Sequence, residues 1–182
     1  MRRIQPVYSR APAFFLVCNR QKTRRLNLPL ARELVAQLLE EWASAGGKGG
    51  AREGLRPGGE LGVYFVNAAE MAQLNGQFLG HAGSTDVITF DYHDVAEGEG
   101  CRGEIFVCVD EAVASAPRFR GTWQKELARY VIHGILHLRG YDDGRPAARR
   151  VMKKEENRVL KALSRRFDWG KLEKVNHAAR RR

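Results

Sequence analysis

His133-Gly134-Ile135-Leu136-His137-Leu138-Arg139-Gly140-Tyr141-Asp142-Asp143 is a segment of helical pattern that carries two histidines four residues apart. On a helix of about 3.6 residues per turn they project from one face, about one turn apart, so both imidazoles can reach one metal ion. Gly140 follows three residues later, where a left-handed helix C-cap is cheapest for glycine. Such a cap turns the chain back and carries Asp143 toward the open side of the same ion. Two histidines and a carboxylate, with a fourth position left to water, form the ligand set of a catalytic zinc site.

The spacing matches the zinc-protease pattern H-E-x-x-H-x-x-G-x-x-H, with one difference. Those proteases need a glutamate directly after the first histidine, as the base for the water on the metal. Gly134 occupies that position here. The metal geometry is predicted and the peptidase base is missing, which leaves a metalloprotease as a remote reading. A single histidine in an apolar helix is more often a core residue than a ligand. The pair, the glycine cap and the carboxylate after it together favour a metal.

At 182 residues, with 43% hydrophobic and 29% charged residues, the chain fits one soluble domain with a proper core. No apolar run approaches the roughly 18 residues of a membrane span, and the arginine-bearing start lacks the pattern of a secretory signal. Cys18, Cys101 and Cys108 are an odd set without C-x-x-C spacing; they suit a reducing compartment, so the cytoplasm is expected. The formal net charge of +10 points to a polyanionic partner. Beside a hydrolytic metal site, that partner reads as RNA.

Residues 1–12 form a basic N-terminal arm, 13–167 the folded domain, and 168–182 a basic tail expected to be disordered. Ala13 to Asn19 is a short apolar run that predicts a buried strand. Asn27 as N-cap, Pro29 in the first turn, and Leu30, Leu34, Leu38, Leu39 and Trp42 predict a helix to about Ala43. Residues 45–60 hold seven glycines and no phosphate-loop pattern, so they predict a plain loop. Strands are expected at 61–67, 85–90 and 103–109, the last two as an antiparallel hairpin. Short helices are expected at 68–78 and from Asp110 to about Pro117. Thr122 predicts the N-cap of the histidine helix, whose apolar stripe is Trp123, Leu127, Tyr130, Val131 and Ile135. Pro146 opens a last helix, with Val151, Met152, Val159, Leu160 and Leu163 on its inner face.

The motif H-G-x-L-H-L-x-G-Y-D resembles the YbeY family, bacterial metal-dependent endoribonucleases of ribosome maturation. Leu74-Asn75, Phe78 and Thr85-Asp86-Val87-Ile88-Thr89-Phe90 are similar to its L-N-x-x-[YF]…T-D-V-L-S-F block. Gly103-Glu104-Ile105 resembles its G-D-I strand, and Met152 and Glu156 its Met and Glu beyond the metal turn. The resemblance implies a single α+β domain: a mixed four-stranded sheet, mostly parallel with one antiparallel strand, helices mainly on one face, and a zincin-like metal helix.

It also implies a zinc-dependent endoribonuclease specific for single strands, with one Zn²⁺ on His133, His137 and Asp143 acting through a metal-activated water. The implied role is maturation of the 3′ end of small-subunit 16S rRNA and late ribosome quality control, with the small subunit and its assembly factors as partners. The general base is unassigned, with Asp142 a candidate. Three positions depart from the family: Asp143 stands for its His, Leu79 for an Arg thought to line the RNA cleft, and Ser84 for a Pro. Without that arginine, RNA contact is expected from His81, Arg139, Arg149 and Arg150. A catalytically weak or inactive RNA-binding assembly factor with a structural zinc is the alternative.

Overall fold

Alternation along the strands sorts the residues into two layers of unequal depth. Leu61, Val63 and Phe65 of β2 (Glu60–Val66) and Ile105 and Val107 of β4 (Arg102–Cys108) point into the large core. There they meet Leu34, Val35, Leu38 and Leu39 of α1 (Leu28–Ala45) and Leu127, Val131, Ile135 and Leu138 of α4 (Trp123–Leu138). Each such side chain contributes about 1.5–3 kcal/mol when fully buried. On the opposite face Val66, Phe106, Cys108 and Ile88 form a smaller cluster with Met71 of α2 (Ala68–Leu74). The computed structural model describes residues 14–45, 59–92 and 102–174. The arm at 1–12, most of the glycine-rich loop, the acidic loop at 93–101 and residues 175–182 lie outside the described residues.

The sheet order is β1-β2-β4-β3, with β1 (Phe14–Asn19) and β3 (Val87–Asp91) at the edges. β1 runs parallel to β2 and β2 parallel to β4, while β3 is antiparallel to β4, pairing Val87 with Val107 and Asp91 with Gly103. The α+β class, the mixed four-stranded sheet and the antiparallel hairpin are therefore as expected. After β4 come α3 (Val109–Ser115), a 3-10 turn (Ala116–Phe119), α4, and α5 (Pro146–Leu163).

Gly134 is where α4 comes closest to the sheet. A Cβ there would lie 2.5 Å from Ile105 Cγ2 and 3.2 Å from Thr89 Oγ1. The position faces the packed layer and admits only hydrogen, so the glutamate of a protease could not stand there without displacing the helix. Thr122 caps the start of α4, its hydroxyl accepting from the Lys125 amide. At the other end Gly140 adopts φ 84, and the Tyr141 and Gly140 amides donate to the Leu136 and His137 carbonyls. Those two bonds form a Schellman cap, for which glycine pays no steric penalty.

Asn27 stands at the N-cap position of α1 as expected, its carbonyl accepting from the Ala31 amide, while its side-chain amide donates to the Lys171 carbonyl at 3.0 Å. Other local expectations are corrected. The helix expected at 68–78 is α2 followed by a π-helical turn, Asn75–Leu79. Val151 is 60% exposed rather than on the inner face of α5, because the stripe set by Met152, Leu160 and Leu163 turns it outward. The tail expected to be disordered from 168 is packed as far as Lys174. Trp169–Leu172 form a 3-10 turn, Leu172 is buried, and Leu26 pairs with Glu173. Phe167, Trp169 and Leu172 supply the apolar area that a purely basic tail lacks.

Candidate metal centre and its cleft

His133 and His137 stand one turn apart on α4, with their Nε2 atoms 3.1 Å from each other. The turn closed by Gly140 returns Asp143 to them: Oδ2 lies 3.6 Å from His133 Nε2 and Oδ1 3.9 Å from His137 Nε2. One donor atom from each of the three residues falls within 4.8 Å of the other two. The remaining ring nitrogens are engaged behind. His133 Nδ1 is 3.2 Å from Glu156 Oε2, and His137 Nδ1 is 3.2 Å from the Tyr141 carbonyl. An ionised carboxylate and a carbonyl can only accept, so both Nδ1 atoms carry hydrogen. When both rings are neutral in this tautomer, their two Nε2 lone pairs face each other, and a cation between them removes the repulsion. Tetrahedral Zn–N bonds of about 2.0–2.1 Å would set two ligand nitrogens about 3.3–3.4 Å apart. The donor set fits such an ion.

Electrostatics hold this tautomer. Burial alone would raise the Glu156 carboxyl, but hydrogen bonds from His133, Lys153 and Arg129 outweigh it and hold the group at about 2. Lys153 Nζ sits 2.7 Å from Glu156 Oε1, and Arg129 bonds the same oxygen. His137 is lowered from its ordinary range, first by burial and then by the neighbouring His133; Asp143 and the Tyr141 carbonyl pull the other way. A lowered imidazole is neutral and ready to ligate near pH 7.

A cleft of about 590 Å³ opens beside His133 and Asp143. Its lining includes Arg118 and Phe119 of the 3-10 turn and Arg149 and Lys153 of α5. Arg149 Nε donates to the Asp143 carbonyl at 2.9 Å, which braces the turn carrying that carboxylate.

Of the residues expected at the site, the structure brings His133, His137, Asp143 and Arg149 together. Arg150 and His81 are exposed and do not line the cleft. Arg139 is buried instead, its guanidinium 5.4 Å from the Trp42 ring centre and 5.7 Å from that of Tyr141. Asp142 Oδ1 accepts from the Gly144 amide, so the candidate base is engaged in a turn. Leu79 is exposed and lies off the cleft lining. The contributions of Glu156, Arg118 and Phe119 were not read from the sequence. For Glu156 a signal existed: it falls on the stripe of Met152, Val159, Leu160 and Leu163, where a charged residue needs a buried partner.

Helix-borne imidazoles with oriented tautomers, a carboxylate from a capped turn and an open cleft lined by charged side chains fit a hydrolase of the metal-dependent class. The family described as Endoribonuclease YbeY matches residues 16–164, and the chain belongs to that family. It is 38% identical over 106 residues to Endoribonuclease YbeY of Phocaeicola vulgatus, covering 58% of this chain and 75% of the relative. With the Elusimicrobium minutum relative of the same name it shares 40% over 104 residues, 56% of this chain and 73% of the other. A solution structure of a Thermotoga maritima protein superposes with a TM-score of 0.57 at 25% identity, covering 91% of this chain and 99% of that one. The enzyme is thus a hydrolase of RNA phosphodiester bonds. Among the described residues, no helix is long and apolar enough to cross a membrane.

Proposed function

We propose that the protein is a zinc-dependent endoribonuclease of single-stranded RNA, acting in the cytoplasm on the 3′ end of small-subunit 16S rRNA and in late ribosome quality control. The observation that carries the reading is the convergence of two Nε2 lone pairs and the Asp143 carboxylate, with both Nδ1 hydrogens held from behind. His133, His137 and Asp143 would hold one Zn²⁺. When bound, the ion supplies Lewis acidity toward a phosphoryl oxygen and a water acidic enough to ionise near neutral pH. Glu156 keeps the His133 ring aimed, and Arg149 braces Asp143 while presenting positive charge at the cleft. The net charge of +10 supports binding to RNA that weakens steeply with salt. The small subunit and its assembly factors are the partners this reading implies.

Leu79 offers no cation where the family has an arginine, which favours a second reading: an RNA-binding assembly factor that cleaves slowly or not at all. A labelled 16S 3′-end fragment, presented single-stranded and then annealed to its complement, separates the two. Cleavage of the single strand, lost on chelation and restored by zinc, supports the nuclease. Tight salt-sensitive binding without cleavage at any metal supplement supports the factor.

A further inference from the structure

Phe119 is 70% exposed, more than any other large hydrophobic side chain among the described residues. It is held out by a closed turn. The Gly121 amide donates to the Ala116 carbonyl and the Arg120 amide to the Pro117 carbonyl, a Schellman motif like the one that ends α4. Arg120 occupies its left-handed position with φ 50, where α4 uses glycine. A non-glycine residue there costs about 1 kcal/mol, so the turn that presents Arg118 and Phe119 is retained against strain. Both residues line the cleft that holds His133 and Asp143. On the same lining Arg149 is pinned by Nε to the Asp143 carbonyl, which leaves its two terminal nitrogens for a ligand. Of the other two cations on the lining, Arg129 and Lys153, both bond Glu156; Arg118 and the terminal nitrogens of Arg149 have no anionic partner among the described residues.

We propose that Arg118, Phe119 and Arg149 form a nucleotide subsite along the cleft, Phe119 stacking one base of single-stranded RNA and the guanidinium groups taking the adjacent phosphates. This rests on the nuclease reading. An exposed ring on the same cleft as unpaired cations suits a base flanked by phosphates: stacking is indifferent to base identity, and a duplex offers no free base face. The subsite selects for unpaired strands.

The test is fluorescence anisotropy of the zinc-loaded protein with a hydrolysis-resistant 2′-O-methyl phosphorothioate oligonucleotide, and with copies in which one base after another is removed. Phe119→Ala should raise Kd about ten-fold or more, and Phe119→Trp should restore it. One abasic position should cost the wild type a similar factor and cost Phe119→Ala nothing further. Arg118→Ala should lower the slope of log K against log salt by about one. Zinc content should be unchanged in all three variants. Binding by Phe119→Ala within two-fold of wild type overturns the subsite, as do independent losses from the variant and the abasic position. Displacement of the oligonucleotide by polyglutamate at equal charge would assign the cleft to an acidic protein segment instead. If the wild type binds no oligonucleotide at any salt, the nuclease reading falls with the subsite; binding that ignores Phe119 leaves that reading standing.

Discussion

On its inner side His133 meets Glu156, which is 2% exposed and bonded by Arg129 and Lys153; on its outer side it meets Asp143, whose side chain is 42% exposed. Both are carboxylates within 3.6 Å of the same ring, yet burial and partners give them different work. The inner group is locked in charge and position, so it can orient the imidazole and set its tautomer. The outer group is braced only through its backbone carbonyl by Arg149, so its oxygens face the open site and can take a ligand. A metal centre needs both kinds of support, and burial decides which residue gives which.

The largest effect expected on that contrast is Glu156→Ala. It leaves Arg129, Lys153 and His133 Nδ1 without their shared acceptor, and breaking a buried charge network of this kind costs about 3–5 kcal/mol. Urea unfolding of the metal-free protein reads the loss, and zinc affinity should fall about 10–100-fold. Glu156→Gln should recover part of both, since an amide oxygen can still accept from the ring.

Acid provides the next handle. The Glu156 carboxyl sits at about 2 in the fold against an ordinary value of 4.5, so on acidification the unfolded chain takes up this proton first. The stabilisation is fully present above about pH 4.5 and drains away as pH falls toward about 2, for a total of order 3 kcal/mol. Urea midpoints measured from pH 6 to pH 3 should drop in the wild type more steeply than in Glu156→Gln.

Gly134→Ala attacks the layer beneath both carboxylates. A methyl 2.5 Å from Ile105 Cγ2 forces α4 off the sheet, at about 1–3 kcal/mol for an overpacked core, and should loosen zinc binding by moving the histidines. A melting temperature equal to wild type would refute the close-packing account. Asp143→Ala, on the outer side, should change stability by no more than about 0.5 kcal/mol. Competition with a chromophoric chelator should nevertheless show weaker zinc binding, and Asp143→His should strengthen it again. Equal stability losses from Asp143→Ala and Glu156→Ala would erase the inner–outer distinction.

The same contrast explains what the sequence made legible. The outer half was readable because it is local: two histidines at helical spacing, a glycine where a left-handed cap belongs, and a carboxylate three residues on. Strand alternation and the hairpin were readable for the same reason. The inner half joins α4 to α5 across 23 residues; periodicity puts Glu156 on the buried stripe of α5 but does not say that His133 is the group it meets there. Arg139 was expected at the RNA in place of the family's arginine; only the fold reveals the Trp42 and Tyr141 rings beside its guanidinium. Gly134 read as a missing catalytic base, whereas the structure makes it a contact between helix and sheet. Phe119 drew no notice, since a lone exposed aromatic gains meaning only from the cleft around it.

The central claim is most directly tested by elemental analysis of wild type and His137→Ala, paired with cleavage of a labelled single-stranded RNA. One zinc per chain in the wild type, lost in the variant together with cleavage, is the result predicted. Wild-type protein that cleaves the RNA without bound metal, or a variant that keeps both zinc and activity, would contradict it.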